Sequence, residues 1–205
     1  RFARTVLTEL RRTPKLYDCD PASLLGAMML AAQLGLEPGP LGHVYLVPFK
    51  REVTFIVGYK GMVDLAYRSG LVKDVATGIV FEGDAFEWRE GTRPFLDHTP
   101  SGPPAERDWP HTYCVARLKT GGTVFRVLFP EDVEKRKARS ANADSPYSPW
   151  VTDFYAMVRK CPVRAVAPML PQSPVFARAL EADEAPVVAA DVEASLTPSD
   201  DADES

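Results

Sequence analysis

Lys60 and Arg68 lie on a segment, YKGMVDLAYRS (59–69), whose pattern predicts a helix. At about 100° per residue, Lys60, Asp64, Tyr67 and Arg68 share one polar arc, with Met62, Leu65 and Ala66 opposite. Two cations beside the corner residue Tyr59 are suited to holding phosphates while an aromatic ring stacks a base. The plainer alternative is a solvated face with an Asp64–Arg68 pair, worth a few tenths of a kcal/mol. A second set lies in HTYCVARLKTGGTVFRV (111–127). Its Gly121-Gly122 reads as a two-residue primed turn, a register that sets Lys119 against Val124 and Arg117 against Arg126. Facing arginines repel unless a phosphate lies between them; splaying into solvent, or neutralisation by Glu82, is the alternative. Lys135, Arg136, Lys137 and Arg139 form a short basic run, either solvated surface or a second track along a polyanion backbone.

Enzyme chemistry finds less support. Glu82, Asp84 and Glu87 could imitate a nuclease metal cluster with Lys119, but strand alternation turns Glu87 away from the other two. Neither a phosphate-binding GxxxxGK[ST] loop nor a dinucleotide fingerprint occurs, so no nucleotide cofactor is expected. Cys19, Cys114 and Cys161 are odd in number and far apart, which offers neither a disulfide framework nor a metal clip and fits a reducing cytosol. His43, His98 and His111 have no partnered acid at sequence level. Cys114 shares its small apolar face with Thr112, Ala116 and Leu118 and is expected to be buried and inert.

The positioning elements follow from punctuation. Phe2, Val6, Leu7 and Leu10 repeat at helical spacing before Pro14, and Asp20-Pro21 caps a second helix that Gly35 and Pro38 end. Strands are expected near 43–49 and 52–58 around a Lys50-Arg51 tip, then at 72–82 and 85–89. The Pro/Gly-rich stretch 91–110 reads as a loop. Pro130 opens a short helix with Glu131 and Asp132 in its first turn. A last helix begins at Pro149, with Pro162 expected to kink or divide it. On that helix Trp150, Phe154, Met157, Val158, Cys161 and Ala165 form the core stripe, and Lys160 and Arg164 lie off it.

The net charge of −4 averages two unlike regions. All 24 Lys and Arg stand in the first 180 residues, against 19 of the 28 acids; the last 25 residues hold nine acids and no base. A basic body with an acidic, aromatic-free tail suggests a polyanion binder with a solvated appendage, an acidic solubility tail being the alternative. No apolar run approaches the roughly 20 residues of a membrane span. Without an initiator Met or a signal-peptide pattern, the displayed chain is expected to begin inside a longer protein.

In order, AAQLGLEPGPLGHVYLVPFKREVTFIVGYKGMVDLAYRSG (31–70), EGDAFEW (82–88), the 111–127 segment and SPWVTDFYAMVRKCPVRAV (148–166) resemble the RecT branch of the RecT/Redβ family of phage single-strand annealing proteins. The likeness extends from Arg1 to about Leu170. It implies an α+β fold, a twisted antiparallel sheet of hairpins with packed helices, over residues 1–175; by composition, 176–205 is expected to be an acidic disordered tail. It further implies ATP-independent binding of single-stranded DNA, annealing through a duplex intermediate, and a homo-oligomeric ring or helical filament in the bacterial cytoplasm. A phage exonuclease or a host single-strand-binding protein would be the partner. Tyr59, Lys60 and Arg68 match the nucleic-acid-binding core of that family. Lys160 and Arg164 match its closing basic helix, although Cys161-Pro162 stands where relatives continue the helix. Arg117, Lys119, Arg126, Arg136 and Lys137 complete the candidate DNA-binding set, and Arg126 rests on the hairpin register alone.

Overall fold

Asp20 and Pro21 open helix α2 as their types require: the Asp20 carboxylate accepts the N–H of Ala22 at 2.8 Å, and Gly35 closes the helix at φ 63°. The computed structural model describes residues 2–102, 108–140, 143–171, 173–183 and 185–187. Helix α1 (Phe2–Arg12) and a 3-10 turn (Pro14–Asp18) precede α2 (Pro21–Leu34). Then come β1 (Val44–Phe49), β2 (Glu52–Val57), α3 (Tyr59–Arg68), β3 (Val72–Val80), β4 (Ala85–Arg89), β5 (Phe95–Thr99), β6 (His111–Leu118) and β7 (Thr123–Leu128). The chain continues through α4 (Pro130–Arg139), α5 (Pro149–Thr152), α6 (Phe154–Val166), α7 (Pro174–Ala182) and β8 (Ala185–Val187). The fold is α+β, as expected. Among the described residues no helix is long and apolar enough to cross a membrane.

Among the described residues three antiparallel sheets carry the strands, in the orders β1-β2-β8, β3-β6-β7 and β4-β5. Strand β6 is covered on both faces. Cys114 and Ala116 point to the side of α3 and α6, while Val115, with Phe125 and Val127 of β7, meets Phe86, Trp88 and Leu96 of the β4–β5 hairpin. Strand β5 falls inside the stretch expected to be a loop. Only Leu96 and His98 turn inward, opposite Trp88 and Phe86, which is too short an alternation to read from sequence.

The last helix also departs from expectation. It breaks at Asp153, between α5 and α6, and then runs unbroken through Pro162. Met157, Val158, Lys160, Cys161, Pro162, Val163 and Val166 are all buried, so α6 is a central helix covered over most of its circumference, with Tyr155 exposed near its start. The folded body also continues past the expected boundary at 175. Helix α7 buries Phe176 and Ala179, and β8 pairs with β2 through Val53–Val187, Thr54–Pro186 and Phe55–Ala185.

Candidate nucleic-acid interface

The GYKG sequence at the start of α3 exists to bring backbones together. A Cβ on Gly58 would stand 2.1 Å from the Gly42 carbonyl oxygen, and one on Gly61 would stand 2.4 Å from that of His43. This packing fixes Lys60 in solvent at the first turn of α3, where no acid or hydrogen-bond acceptor among the described residues meets its ammonium. Tyr59 is half-buried against the main core, so its ring is not free to stack on both sides. Arg68 serves α2. Its guanidinium donates to the carbonyls of Leu34 and Gly35, both at 2.9 Å, and to Asp64 on its own helix. The arc read from sequence is present, but Arg68 is engaged in closing a helix end that would otherwise leave carbonyls unpaired.

The β6–β7 turn is longer than expected. Gly121 N–H donates to Leu118 O at 3.0 Å and Leu118 N–H to Gly122 O at 2.8 Å, with Gly121 at φ 95°. A turn followed by a glycine bulge therefore replaces the two-residue loop. Arg117 consequently faces Thr123, and Arg126 faces Cys114. The two arginines lie on opposite faces of the sheet, which removes the shared phosphate expected between them. Arg117 instead pairs with Asp74 across β3 at 3.0 Å. Arg126 donates to the carbonyl of Phe125 at 3.0 Å. Lys119 occupies the exposed turn, and its backbone N–H holds Leu71 O at 2.9 Å.

Lys160 is 2% exposed, and its ammonium lies 2.8 Å from Asp183 Oδ1. The same carboxylate receives the Val57 N–H at 2.8 Å and, on Oδ2, the Arg164 guanidinium at 2.6 Å. Lys160 is thus a buried structural cation and not an open phosphate contact. The amphipathic reading failed because α6 has no solvent face at that position. Arg164 is different: its side chain is 34% exposed, and it lines a cleft of about 190 Å³ between α4 and α6.

That cleft gathers Arg136, Arg139, Lys160 and Arg164 around a floor of Trp150, Met157 and Cys161. Arg136 and Arg139 are one helical turn apart on α4, and among the described residues neither meets an acid or a carbonyl. Lys137, between them in sequence, does not line the cleft. Trp150 is 3% exposed, and its indole N–H is buried without an acceptor. The sequence pattern places Arg139 in a basic run and Trp150 in the core. The i,i+3 spacing of Arg136 and Arg139 was the available signal.

The acids tell against the alternative metal site. Asp84 accepts the N–H groups of Ser101 and Phe81, each at 2.9 Å, and the Ser101 hydroxyl at 3.0 Å; His98 Nε2 stands 3.1 Å away. Hydrogen bonds from the Ser101 and Phe81 backbone hold its carboxyl well below the usual carboxylate range. His98 Nδ1 in turn lies 3.0 Å from the Tyr113 hydroxyl. Asp84 is therefore the anchor of a turn, and Lys119 belongs to a different hairpin. Among the described residues no group of three or more His, Cys, Asp or Glu is placed to hold a metal ion.

Residues 1–198 match the RecT family, and the chain belongs to that family of DNA recombination and strand-annealing proteins. Among its relatives is Protein RecT of Escherichia coli (strain K12), 40% identical over 192 residues that make up 89% of this chain and 70% of that protein. The uncharacterized protein YqaK of Bacillus subtilis (strain 168) is 28% identical over 169 residues, 81% of this chain and 57% of the relative.

Proposed function

We propose that this chain binds single-stranded DNA and anneals complementary strands without ATP, working as a homo-oligomeric ring or helical filament. The observation that carries the reading is family membership over nearly the whole chain, joined to a set of cations that meet no acid among the described residues. Lys60, Lys119, Arg136, Arg139 and Lys137 are the contacts to the backbone, with Arg164 at the cleft wall and Arg126 at the sheet edge. Arg68 and Arg117 lend charge while each holds a protein acceptor. Cations that track phosphates leave base edges outward, so a second strand pairs by Watson–Crick rules and side chains need not read sequence. The annealed duplex is the product that is released. A nuclease that exposes the single strand, or a host single-strand-binding protein, is the natural companion in the bacterial cytoplasm.

The test is to mix the protein with complementary oligonucleotides in the absence of ATP and divalent metal. Duplex formation faster than the spontaneous rate supports annealing, and micrographs with and without DNA report the assembly. Cleavage on adding Mg²⁺, with no acceleration of pairing, would overturn the reading in favour of a nuclease.

A further inference from the structure

We propose that the cleft walled by Trp109 and Phe154 receives the Lys50-Arg51 hairpin tip of a second copy of this chain. The contact rests on the homo-oligomeric reading above, and it joins two surfaces that the DNA contacts leave unused. The cleft encloses about 560 Å³, inside the range of about 300–1,000 Å³ typical of ligand pockets. The rings of Trp109, before β6, and Phe154, at the start of α6, are half-buried with centroids 6.3 Å apart, and Pro110 lies in the same wall. Glu82, Asp108 and Glu134, all exposed, line the cleft from the β3–β4 turn, the approach to β6 and helix α4. The Glu82 N–H donates to the Asp108 carbonyl at 2.8 Å, which ties two of these segments together. Among the described residues neither Asp108 nor Glu134 meets a cation, and no group of acids is placed to hold a metal ion. Three carboxylates repel a phosphate backbone. Aromatic faces beside carboxylates instead suit a guanidinium or an ammonium, whose apolar stem lies along the rings.

The tip supplies those cations. Lys50 and Arg51 are both exposed between β1 and β2, and neither meets an acid among the described residues. Lys50 takes φ 52°, and no other described residue except glycine has a positive φ. Two-residue hairpin turns ordinarily place Asn, Asp or Gly at such a position, so a lysine there keeps a charge where the backbone favours another residue. The Arg51 carbonyl accepts the Asp20 N–H at 2.6 Å, which anchors the turn against the start of α2. An anchored turn loses little freedom on docking. Tip and cleft are different surfaces, so each copy offers both and the contact is head-to-tail. Repeated from copy to copy, it closes a ring or grows a filament according to the rotation it sets.

Two variants of the full chain each reverse one side: Lys50→Asp with Arg51→Glu at the tip, and Asp108→Lys with Glu134→Lys in the cleft. Assembly is followed by sedimentation velocity over a concentration series, with and without a single-stranded oligonucleotide, after thermal melting has shown each variant to be folded. Each variant alone should need at least tenfold more protein than the wild type for half-assembly. Their equimolar mixture should assemble within threefold of the wild type, because reversed tip meets reversed cleft and native tip meets native cleft in alternation. If either set unfolds, Arg51→Gln and Glu134→Gln take its place: each should weaken assembly at least threefold, and the two together no more than the larger single effect. Additive losses there would overturn the contact. So would wild-type assembly that both reversals leave intact, or a mixture that stays apart, while annealing stands. Impairment of one variant alone overturns it as well; if that variant is the tip and its single-strand salt slope falls, Lys50 and Arg51 are phosphate contacts. A wild type that stays monomeric with and without the strand refutes the oligomeric reading and this contact with it. Rescue by mixing in a protein that does not anneal keeps the contact and refutes the annealing reading.

Discussion

Asp183 offers the sharpest test of how the body is closed. Its carboxylate is buried and meets Lys160, Arg164 and the Val57 N–H together. Asp183→Asn keeps Oδ1 for the Val57 amide but removes the charge and turns an NH₂ group toward Arg164. Removing one partner of a buried ion pair costs about 3–5 kcal/mol, because the remaining charge stays desolvated. Arg164 can turn toward water, but Lys160, at 2% exposed, has little room to do so. For a chain of this size about 1 kcal/mol corresponds to roughly 2–4 °C in Tm, so the variant should melt about 6–20 °C lower. Adding Lys160→Met removes the stranded ammonium and should recover most of the loss, since an apolar side chain of similar length fits the same space. Urea and thermal unfolding of wild type, Asp183→Asn, Lys160→Met and the double variant form the assay. If Asp183→Asn lies within about 1 kcal/mol of wild type, or if Lys160→Met fails to rescue it, the triad does not hold the C-terminal segment in solution.

Shorter tests accompany it. Gly61→Ala drives a methyl group into the His43 carbonyl and should cost about 1–3 kcal/mol by urea midpoint. Lys60→Ala should lower the single-strand salt slope by ~0.7 at unchanged stability. Arg68→Ala should instead lower the melting temperature, because it uncaps Leu34 and Gly35. Thiol reagents should leave the native protein unlabelled at pH 8: all three cysteines are buried, and burial pushes Cys114 up to about 12. Rapid labelling without denaturant would contradict that burial. Because the Asp84 carboxyl is held low, its stabilisation is complete above the ordinary carboxylate range near pH ~4 and fades as pH falls below it. Asp84→Asn should flatten the acid limb of the stability–pH curve.

Local chemistry made much of the frame readable. Asp20-Pro21, Gly35 and Pro130 mark helix ends through groups within one turn of themselves, and the small face of Thr112, Cys114 and Ala116 needs only strand alternation. What escaped depends on partners far along the chain. Lys160 looked like surface because its acid, Asp183, stands 23 residues on and in a segment whose composition reads as solvated tail. The β6–β7 register escaped for a different reason. Two adjacent glycines serve a two-residue turn or a bulged one, and the three-position difference in pairing flips Arg126 to the other face. The candidate site is half visible: Arg136 stands out in the basic run and Trp150 is core, as its stripe predicts, but nothing in the sequence shows that a cleft opens between the two.

The pairing of β8 with β2 also sets a timetable for biosynthesis. Phe55 waits for a partner about 130 residues downstream, so the central strand of the first sheet is made early and closed late. At about 5–20 residues per second, translation leaves that edge unpaired for on the order of 10 s. During this interval β2 presents open backbone groups flanked by Val53, Phe55 and Val57, a template that any neighbouring nascent chain could extend. Chains that stop short of Val187 never complete the edge. Premature termination products of this protein should therefore be lost mainly to aggregation, and their yield should be the part of its expression most sensitive to chaperone supply.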